Sequence, residues 1–345
     1  MHYPRSVGDF RSWFATDAAC LDYLDWLRWP DGFVCPACGD RRGWAVGDGR
    51  RKCAGCLKRT SVTAGTLFDQ RHSPLTVWFE VVWLFATSKQ GISAKDAQRQ
   101  LEVGSYATAW EMCHRLRSVL VRPGRELLAG GVEVDEAFIG GPEPGLAGGR
   151  ARGKKALVVV AVETRDGPSR LGRTRLKVLP DASAASLTGF IEANLTPGAE
   201  VVTDAWSGYL PLASKGYTHR VVNQSAAARR GEDTDSLLPG VHRVISLVKR
   251  WLLGTHQGAV SPDHLQAYLD EYTFRFNRRA STSPGLLFLR LLQLAVAHDP
   301  VRRRDIIAQP TKLLTPHPGA GLGITGRPPT LERPIPPGTP WRQPI

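Results

Sequence analysis

Two aspartates stand at the ends of two short apolar segments of the chain. Asp135 follows Val132–Val134, and Asp204 follows Glu200–Thr203. A carboxylate in a segment that buries apolar side chains is costly unless a metal ion or an ion pair compensates its charge. In a chain with 45 Lys and Arg against 32 Asp and Glu, the two aspartates indicate a Mg²⁺ site that acts on phosphates.

The net charge of the chain limits the classes of partner that it can be expected to bind. A formal net charge of +13 over 345 residues fits a polyanion better than an acidic protein or a neutral metabolite, and nucleic acid is the first expectation. The N-terminal 13 residues lack the apolar core of a secretory signal. The most apolar stretch, Leu286–Ala297, contains Arg290 and is too short to cross a bilayer. We therefore expect a soluble, cytoplasmic protein with no membrane contact.

Four cysteines near the N-terminus have the spacing of a zinc ribbon. Two Cys-x-x-Cys pairs are separated by fourteen residues and comprise Cys35, Cys38, Cys53 and Cys56. Four thiolates satisfy tetrahedral Zn²⁺, and a segment so poor in large apolar residues needs such a structural ion to fold. A basic cluster surrounds the second pair and is expected either to follow a DNA backbone or to form a solvated loop; it comprises Arg50, Arg51, Lys52, Lys58 and Arg59.

The region after the cysteines has helical periodicity. Ser93 is a suitable N-cap for a helix over 94–101, and a Gly-containing turn separates it from a second helix over 106–120. Two helices joined in this way predict a helix-turn-helix with Arg115 and Arg117 as DNA contacts on the second helix. The same pattern is also typical of an ordinary packing unit.

The second half of the chain reads as an α/β domain. Strands are predicted over 132–139, 156–162 and 173–179, then a helix over 183–195, a strand over 200–204, and helices over 241–253 and 262–278. This is the element order of a ribonuclease-H-like fold. The predicted regions are 1–66 (N-terminal helix and zinc ribbon), 67–125 (helical DNA-binding region), 130–295 (ribonuclease-H-like core) and 305–345 (disordered Pro/Gly-rich tail).

The helix predicted over 241–253 presents one polar face. His242, Ser246 and Lys249 share it, while apolar residues occupy the side that faces the core. Imidazole can ligate a divalent ion, and Lys249 can hold a DNA phosphate as a point charge. Glu133 and Glu136 flank Asp135 and either could assist the metal, but neighbours on a strand point to opposite faces, so Glu136 should face away from Asp135.

Several motifs together resemble a known family. They occupy 28–39, 134–141, 203–209 and 241–256, and Phe274–Arg279 closes the region. In combination they resemble the DDE-type insertion-sequence transposases of the ISXO type, which carry an N-terminal zinc ribbon. The similarity spans roughly Phe10 to Leu292.

The resemblance implies roles for individual residues. Asp135 and Asp204 would be the first two catalytic carboxylates, holding Mg²⁺ or Mn²⁺, and Lys249 the basic residue two turns beyond the third ligand, with Arg250 a further DNA contact. His242 stands where many relatives have Glu, and the nearby acids Glu232, Asp233 and Asp235 are alternatives to it.

The resemblance also implies partners and an activity. These are the terminal inverted repeats and target sites of double-stranded DNA, a homodimer or larger multimer, and a nucleoid location in a bacterial cytoplasm. Two other classes stay open: a regulator that binds DNA without cutting it, and a structure-selective nuclease on a similar fold.

Overall fold

A computed structural model of the chain describes residues 2–47, 49–122, 124–140, 155–165, 170–231, 233, 236–258 and 260–308. Its contacts divide the chain into two units. Unit 1 comprises Met1–Arg122 together with Ser281–Ile345, and unit 2 comprises Pro123–Ala280. No helix among the described residues has the length and apolar character to cross a membrane.

Five helices of unit 1 begin at a Ser or Thr that satisfies one of their first backbone N–H groups. Ser6, Thr16, Ser93, Ser105 and Ser283 each accept such a bond through the side-chain hydroxyl. The helices are α1 (Val7–Trp13), α2 (Asp17–Arg28), α3 (Leu75–Thr87), α4 (Ala94–Gln100), α5 (Tyr106–Ser118), α10 (Pro284–Ala297) and α11 (Arg303–Ala308).

An aromatic core holds these helices together. Phe288 of α10 is fully buried, and its ring lies 5.5 Å from Phe10, 5.8 Å from Phe79 and 5.7 Å from Trp83. Edge-to-face ring pairs at these distances stabilise a core beyond their buried area. Helix α10 packs on α2 and α3, so it belongs to unit 1.

Unit 1 also contains a small antiparallel sheet around the four cysteines. Its strands are β1 (Gly43–Ala45), β2 (Arg50–Cys53) and β3 (Arg59–Ser61), in the order β1-β2-β3. Strands of three and four residues bury little apolar surface. Cross-linking by a metal is therefore the expected source of their stability.

Unit 2 is built on a five-stranded mixed sheet in the order β6-β5-β4-β7-β8. The first three strands pair antiparallel, whereas β4 with β7 and β7 with β8 pair parallel. Its strands are β4 (Gly131–Ile139), β5 (Ala156–Arg165), β6 (Arg170–Leu179), β7 (Glu200–Asp204) and β8 (Thr218–Val222). The predicted ribonuclease-H-like fold class is confirmed, and the structure places β4 at the centre of the sheet.

Helices cover both faces of this sheet. One face packs on α8 (Pro239–His256) and α9 (Leu265–Asn277) through residues such as Val160 and Val202. The other face packs on α6 (Ala184–Asn194) and a 3₁₀ segment, Ser207–Lys215, through Val134 and Val201. The continuous apolar run of β5 is explained by this double cover.

Some boundaries differ from those expected. The core was predicted to extend to residue 295, but α10 lies in unit 1, because its apolar face packs with the N-terminal helices. A short helix, α7 (Gln224–Arg229), follows β8 and was not expected. The predicted tail begins inside α11, and its residues from 309 onward lie outside the described part of the chain.

Candidate functional site

The four cysteines of the ribbon converge. Their sulfur atoms all lie within 4.8 Å of one another, with Cys35 Sγ 3.6 Å from Cys56 Sγ and Cys38 Sγ 3.5 Å from Cys53 Sγ. Zn–S bonds of 2.3 Å at tetrahedral angles place sulfurs about 3.8 Å apart. Hydrogen bonds, first from the backbone N–H of Ala37, lower the pKa of the Cys35 thiol to about 7, whereas the sulfurs of Cys56 and Cys53 raise the pKa of Cys38. The lowered pKa favours the thiolate that a metal binds. The quartet therefore has the chemistry and dimensions of a structural zinc site.

The two aspartates of unit 2 lie on the same face of the sheet. The last described pair of the parallel β4–β7 ladder joins Glu133 to Val202, and Asp135 and Asp204 each follow two residues later. Across the sheet, Asp135 pairs with Val160 and Asp204 with Val222. Both valines pack in the core under α8 and α9. Side chains directly opposite on neighbouring strands share a face, so both carboxylates point toward the α8 side.

A backbone amide orients each carboxylate. Asp135 Oδ1 accepts from its neighbour Glu136 N at 2.8 Å, and Asp204 Oδ1 accepts from Trp206 N at 3.0 Å. The second bond closes the Asx turn that is the ordinary structural role of an Asp at this position. That turn holds one oxygen of Asp204 in place at the strand end.

Helix α8 brings His242 to Asp135. The Nε2 atom of His242 lies 3.2 Å from Oδ2 of Asp135, and the side chains are 21 % and 16 % exposed. The apolar side of α8, with Val241, Val244 and Val248 fully buried, fixes this orientation. Lys249 lies two turns along the helix and is exposed, as is Arg250. The polar face predicted from the sequence is thus present.

Glu136 lies among the groups of the opposite face. Burial raises the pKa of Glu136 to about 7, and the fully buried Tyr209 of the 3₁₀ segment is beside it. The alternation along β4 accounts for this placement. Of the alternative third ligands, Asp233 is exposed, whereas Glu232 and Asp235 lie outside the described residues.

The ligand atoms of Asp135, Asp204 and His242 are spaced more widely than the sulfur atoms of the cysteine quartet. Among the described residues, the ligand atoms of three or more His, Cys, Asp or Glu side chains come within 4.8 Å of one another only in the cysteine quartet. Asp135, Asp204 and His242 therefore have a wider spacing.

The ribbon places its basic residues on two faces. Trp44, Lys52 and Arg59 stand opposite one another across the three strands, and we name these three side chains the ribbon row. Lys52 Nζ lies 5.6 Å from the Trp44 ring, which is 47 % exposed. Arg50 and Lys58 are also exposed. Trp44 was missed from the sequence, although an aromatic residue beside a basic cluster is a recognisable signal.

Arg51 lies on the other face of β2. Its guanidinium donates to both carboxylate oxygens of Asp25 on α2, at 2.7 and 2.6 Å. A bidentate pair of this kind ties the ribbon to α2. Arg51 therefore has a structural role in the described structure.

The DNA contacts expected on the second helix of the helix pair need correction. Arg115 is 9 % exposed and pairs with Glu111 at 2.7 Å, and Arg117 is completely buried over the ring of Phe85. Their guanidinium groups lie over the rings of Trp78 and Phe85 on α3. We withdraw both from the predicted DNA contacts because neither faces solvent.

Comparison with known proteins places these features in a family. Residues 127–277, nearly all of unit 2, match the family described as the ISXO2-like transposase domain, and residues 15–59 match the transposase zinc-ribbon domain. The chain carries a transposase zinc ribbon and an ISXO2-like DDE transposase domain. It is also 26 % identical over 302 residues to a protein of Halobacterium salinarum described as an uncharacterized protein in transposable element ISH50, covering 79 % of this chain and 94 % of that protein.

Each transposase motif now has a position in the structure. The domain match begins just before β4 and ends with α9, and so includes Asp135, Asp204, His242 and Lys249. The ribbon match begins before α2 and ends at Arg59, and so includes all four cysteines. Both matches are to transposase domains and the relative belongs to a transposable element, so the comparisons support a transposase.

Proposed function

We propose that this transposase binds the terminal inverted repeats of its own insertion element and catalyses metal-dependent strand cleavage and strand transfer. The observation that carries the proposal is the common face of Asp135 and Asp204, with His242 3.2 Å from Asp135. Two carboxylates and an imidazole are donors that Mg²⁺ or Mn²⁺ accepts. Their partial exposure leaves room for DNA.

The residues present fit such ions by their chemistry. Asp135 and Asp204 supply hard anionic oxygens, and each has one oxygen held by a backbone amide. Bound there, a pair of divalent ions would activate the attacking oxygen and stabilise the leaving oxygen of a phosphodiester. His242 would complete the set in place of the Glu that many relatives have.

The chain's own side chains orient the DNA around this site. Lys249 and Arg250 are exposed on α8, whose residues 239–256 include no Asp or Glu. They would hold phosphates beside the carboxylates. Because an element has two ends, the proposal includes a dimer or larger multimer that pairs them.

The first prediction tests the carboxylates. In Asp135→Asn and Asp204→Asn, the loss of an anionic ligand should reduce Mg²⁺-dependent nicking of element-end DNA by at least about 10³-fold, a bound below the losses of about 10⁴- to 10⁶-fold seen when a catalytic group is removed. Binding of the same DNA should stay within about twofold, because neither side chain contacts phosphate without a metal. Gel assays of nicking and fluorescence anisotropy of binding provide the two measurements.

Asp263→Asn is the matched control, since Asp263 is an exposed aspartate of the same unit, and its Oδ2 accepts from the hydroxyl of the exposed Ser261 at 3.5 Å. It should nick DNA like the unchanged chain. Nicking that survives either Asn variant at Asp135 or Asp204 would contradict the site.

The same assay separates the other two classes. DNA binding without nicking by the unchanged chain would favour a regulator. Nicking without joining of a pre-cut end to a plasmid would favour a nuclease.

A further inference from the structure

Helix α8 begins against a buried carboxylate from the strand that carries Asp135. Glu133 is 5 % exposed, and its Oε2 accepts from the backbone N–H of Val241 at 2.8 Å. The first N–H groups of a helix lack partners within the helix and need an outside acceptor. The N-cap residue of α8 is Leu238, whose apolar side chain cannot accept a hydrogen bond.

The helix and the strand are in close contact at this point. A Cβ atom at Gly240 would lie 2.9 Å from Glu133 Oε2 and 3.0 Å from Leu171 Cδ2. Contacts this short require a neighbour to move, so the absence of a side chain at residue 240 permits the approach. An anionic acceptor at this end also complements the positive pole of the helix dipole.

The anchor is adjacent to the candidate metal ligands on both elements. Glu133 and Asp135 are two residues apart and therefore share one face of β4, while Val241 and His242 are consecutive on α8. The same strand and helix are thus joined twice, at 2.8 Å through Glu133 and Val241 N and at 3.2 Å through Asp135 and His242.

We propose that Glu133 is a positioning residue that fixes the start of α8 and thereby sets His242 against Asp135. It acts through the helix and not as a metal ligand, because Oε2 bonds an amide and the side chain is almost completely buried. The inference rests on the proposed function for its catalytic consequence. Its structural part, the placement of His242, stands apart from any activity.

The test compares two substitutions of Glu133 in the full chain. Glu133→Ala removes the acceptor, and Glu133→Gln keeps a carbonyl oxygen that can accept from Val241 N without the charge. In the Ala variant, loss of the cap should speed hydrogen exchange of the Val241 amide by about fivefold or more. The ring resonance of His242, assigned with His242→Gln, should shift. Both signals should lie near those of the unchanged chain in the Gln variant.

Cleavage gives the catalytic readout. The Mg²⁺ concentration for half-maximal nicking should rise severalfold in Glu133→Ala and remain within about twofold in Glu133→Gln. Rescue by Gln distinguishes positioning from direct ligation, because an amide replaces a carboxylate poorly as a ligand of Mg²⁺. A Gln variant as impaired as the Ala variant in the metal titration would overturn the assignment.

Two further variants distinguish the positioning effect from a general loss of stability. Gly240→Ala removes no charged group, but its added methyl group should push the start of α8 away from Glu133. It should therefore shift the His242 resonance as Glu133→Ala does. Glu163→Gln is the matched control, since Glu163 is a buried glutamate of β5 that pairs with Arg173 at 2.6 Å. It should leave the Val241 and His242 signals unchanged.

The two proposals fail in different ways. If the unchanged chain never nicks DNA but Glu133→Ala displaces His242, the proposed activity is wrong and the positioning role stands. If Glu133→Ala leaves the exchange of Val241 and the resonance of His242 unaltered, the positioning role is wrong whatever the activity.

Discussion

At the scale of single residues, burial decides what each charged group of unit 2 can do. Asp135 and His242 keep 16 % and 21 % exposure and face each other, so they remain accessible to ions and DNA. Asp270 on α9 is 5 % exposed, and its Oδ1 accepts from Gln266 Nε2 at 3.1 Å. The carboxylate of Asp135 is therefore accessible to solvent, whereas that of Asp270 in the same unit is buried.

The pKa of Asp270 gives a prediction about stability. Burial raises this pKa from 3.8 to about 7, so the folded chain retains a proton that the unfolded chain releases above about pH 4. The stability contributed by the protonated form is complete below that pH and is lost as the pH rises toward 7. Relative to Asp270→Asn, the unchanged chain should lose up to about 1.4 kcal/mol of unfolding free energy per pH unit in this window.

Chemical denaturation at pH 4, 5, 6 and 7 measures this difference. Asp263→Asn, at an exposed aspartate, should show no such trend relative to the unchanged chain. A constant difference between Asp270→Asn and the unchanged chain across the window would contradict the prediction.

At the scale of elements, the sequence predicts well which face of a helix or strand a residue occupies. It predicts poorly whether an arginine side chain is buried. The alternation of β4 and the apolar stripe of α8 determine which face Asp135, Glu136 and His242 occupy, and these follow from spacing alone. Arg115 and Arg117 also have helical spacing, but their surroundings are the rings of α3, which lie far from them in sequence. The capping of α8 by Glu133 joins two residues that are 108 positions apart in the sequence. Local sequence patterns could not predict it either.

The zinc ribbon gives a prediction for an element. In Cys38→Ser, the loss of a thiolate should abolish stoichiometric zinc and unfold β1–β3, because the short strands bury too little surface alone. Zinc content per chain and amide exchange of the ribbon strands provide the measurement. Cys113→Ser, at a buried cysteine of α5 outside the quartet, should keep one zinc. A ribbon that stays protected from exchange without metal would refute the dependence.

The ribbon row gives a second prediction for an element. Lys52→Ala and Arg59→Ala should each weaken binding of duplex DNA and lower the slope of log K against log salt by about 1, as expected when one phosphate contact is lost. Trp44→Ala should weaken binding without changing that slope, because a ring contact releases no counterions. Arg42→Ala, at an exposed ribbon arginine paired with Asp40 at 3.0 Å, is the control. Equal slopes for all variants would exclude the row as a phosphate contact.

At the scale of the whole molecule, the chain divides its tasks between two units. Unit 1 holds the zinc ribbon and unit 2 the transposase domain. The zinc-ribbon match over 15–59 and the transposase-domain match over 127–277 overlap the regions predicted as ribbon and core. The placement of α10 could not be predicted, because an apolar helix fits either core and its partners α3 and α2 lie about 200 and about 260 residues away in sequence.

The central claim is that Asp135 and Asp204 bind shared divalent ions. Anomalous diffraction from crystals of the full chain soaked in Mn²⁺ tests it most directly. The account predicts Mn²⁺ peaks within about 2.5 Å of both carboxylates, a bound close to metal–oxygen bond lengths, and their loss in Asp204→Asn. Peaks that contact neither carboxylate, or carboxylates that point to opposite faces of the sheet, would contradict it.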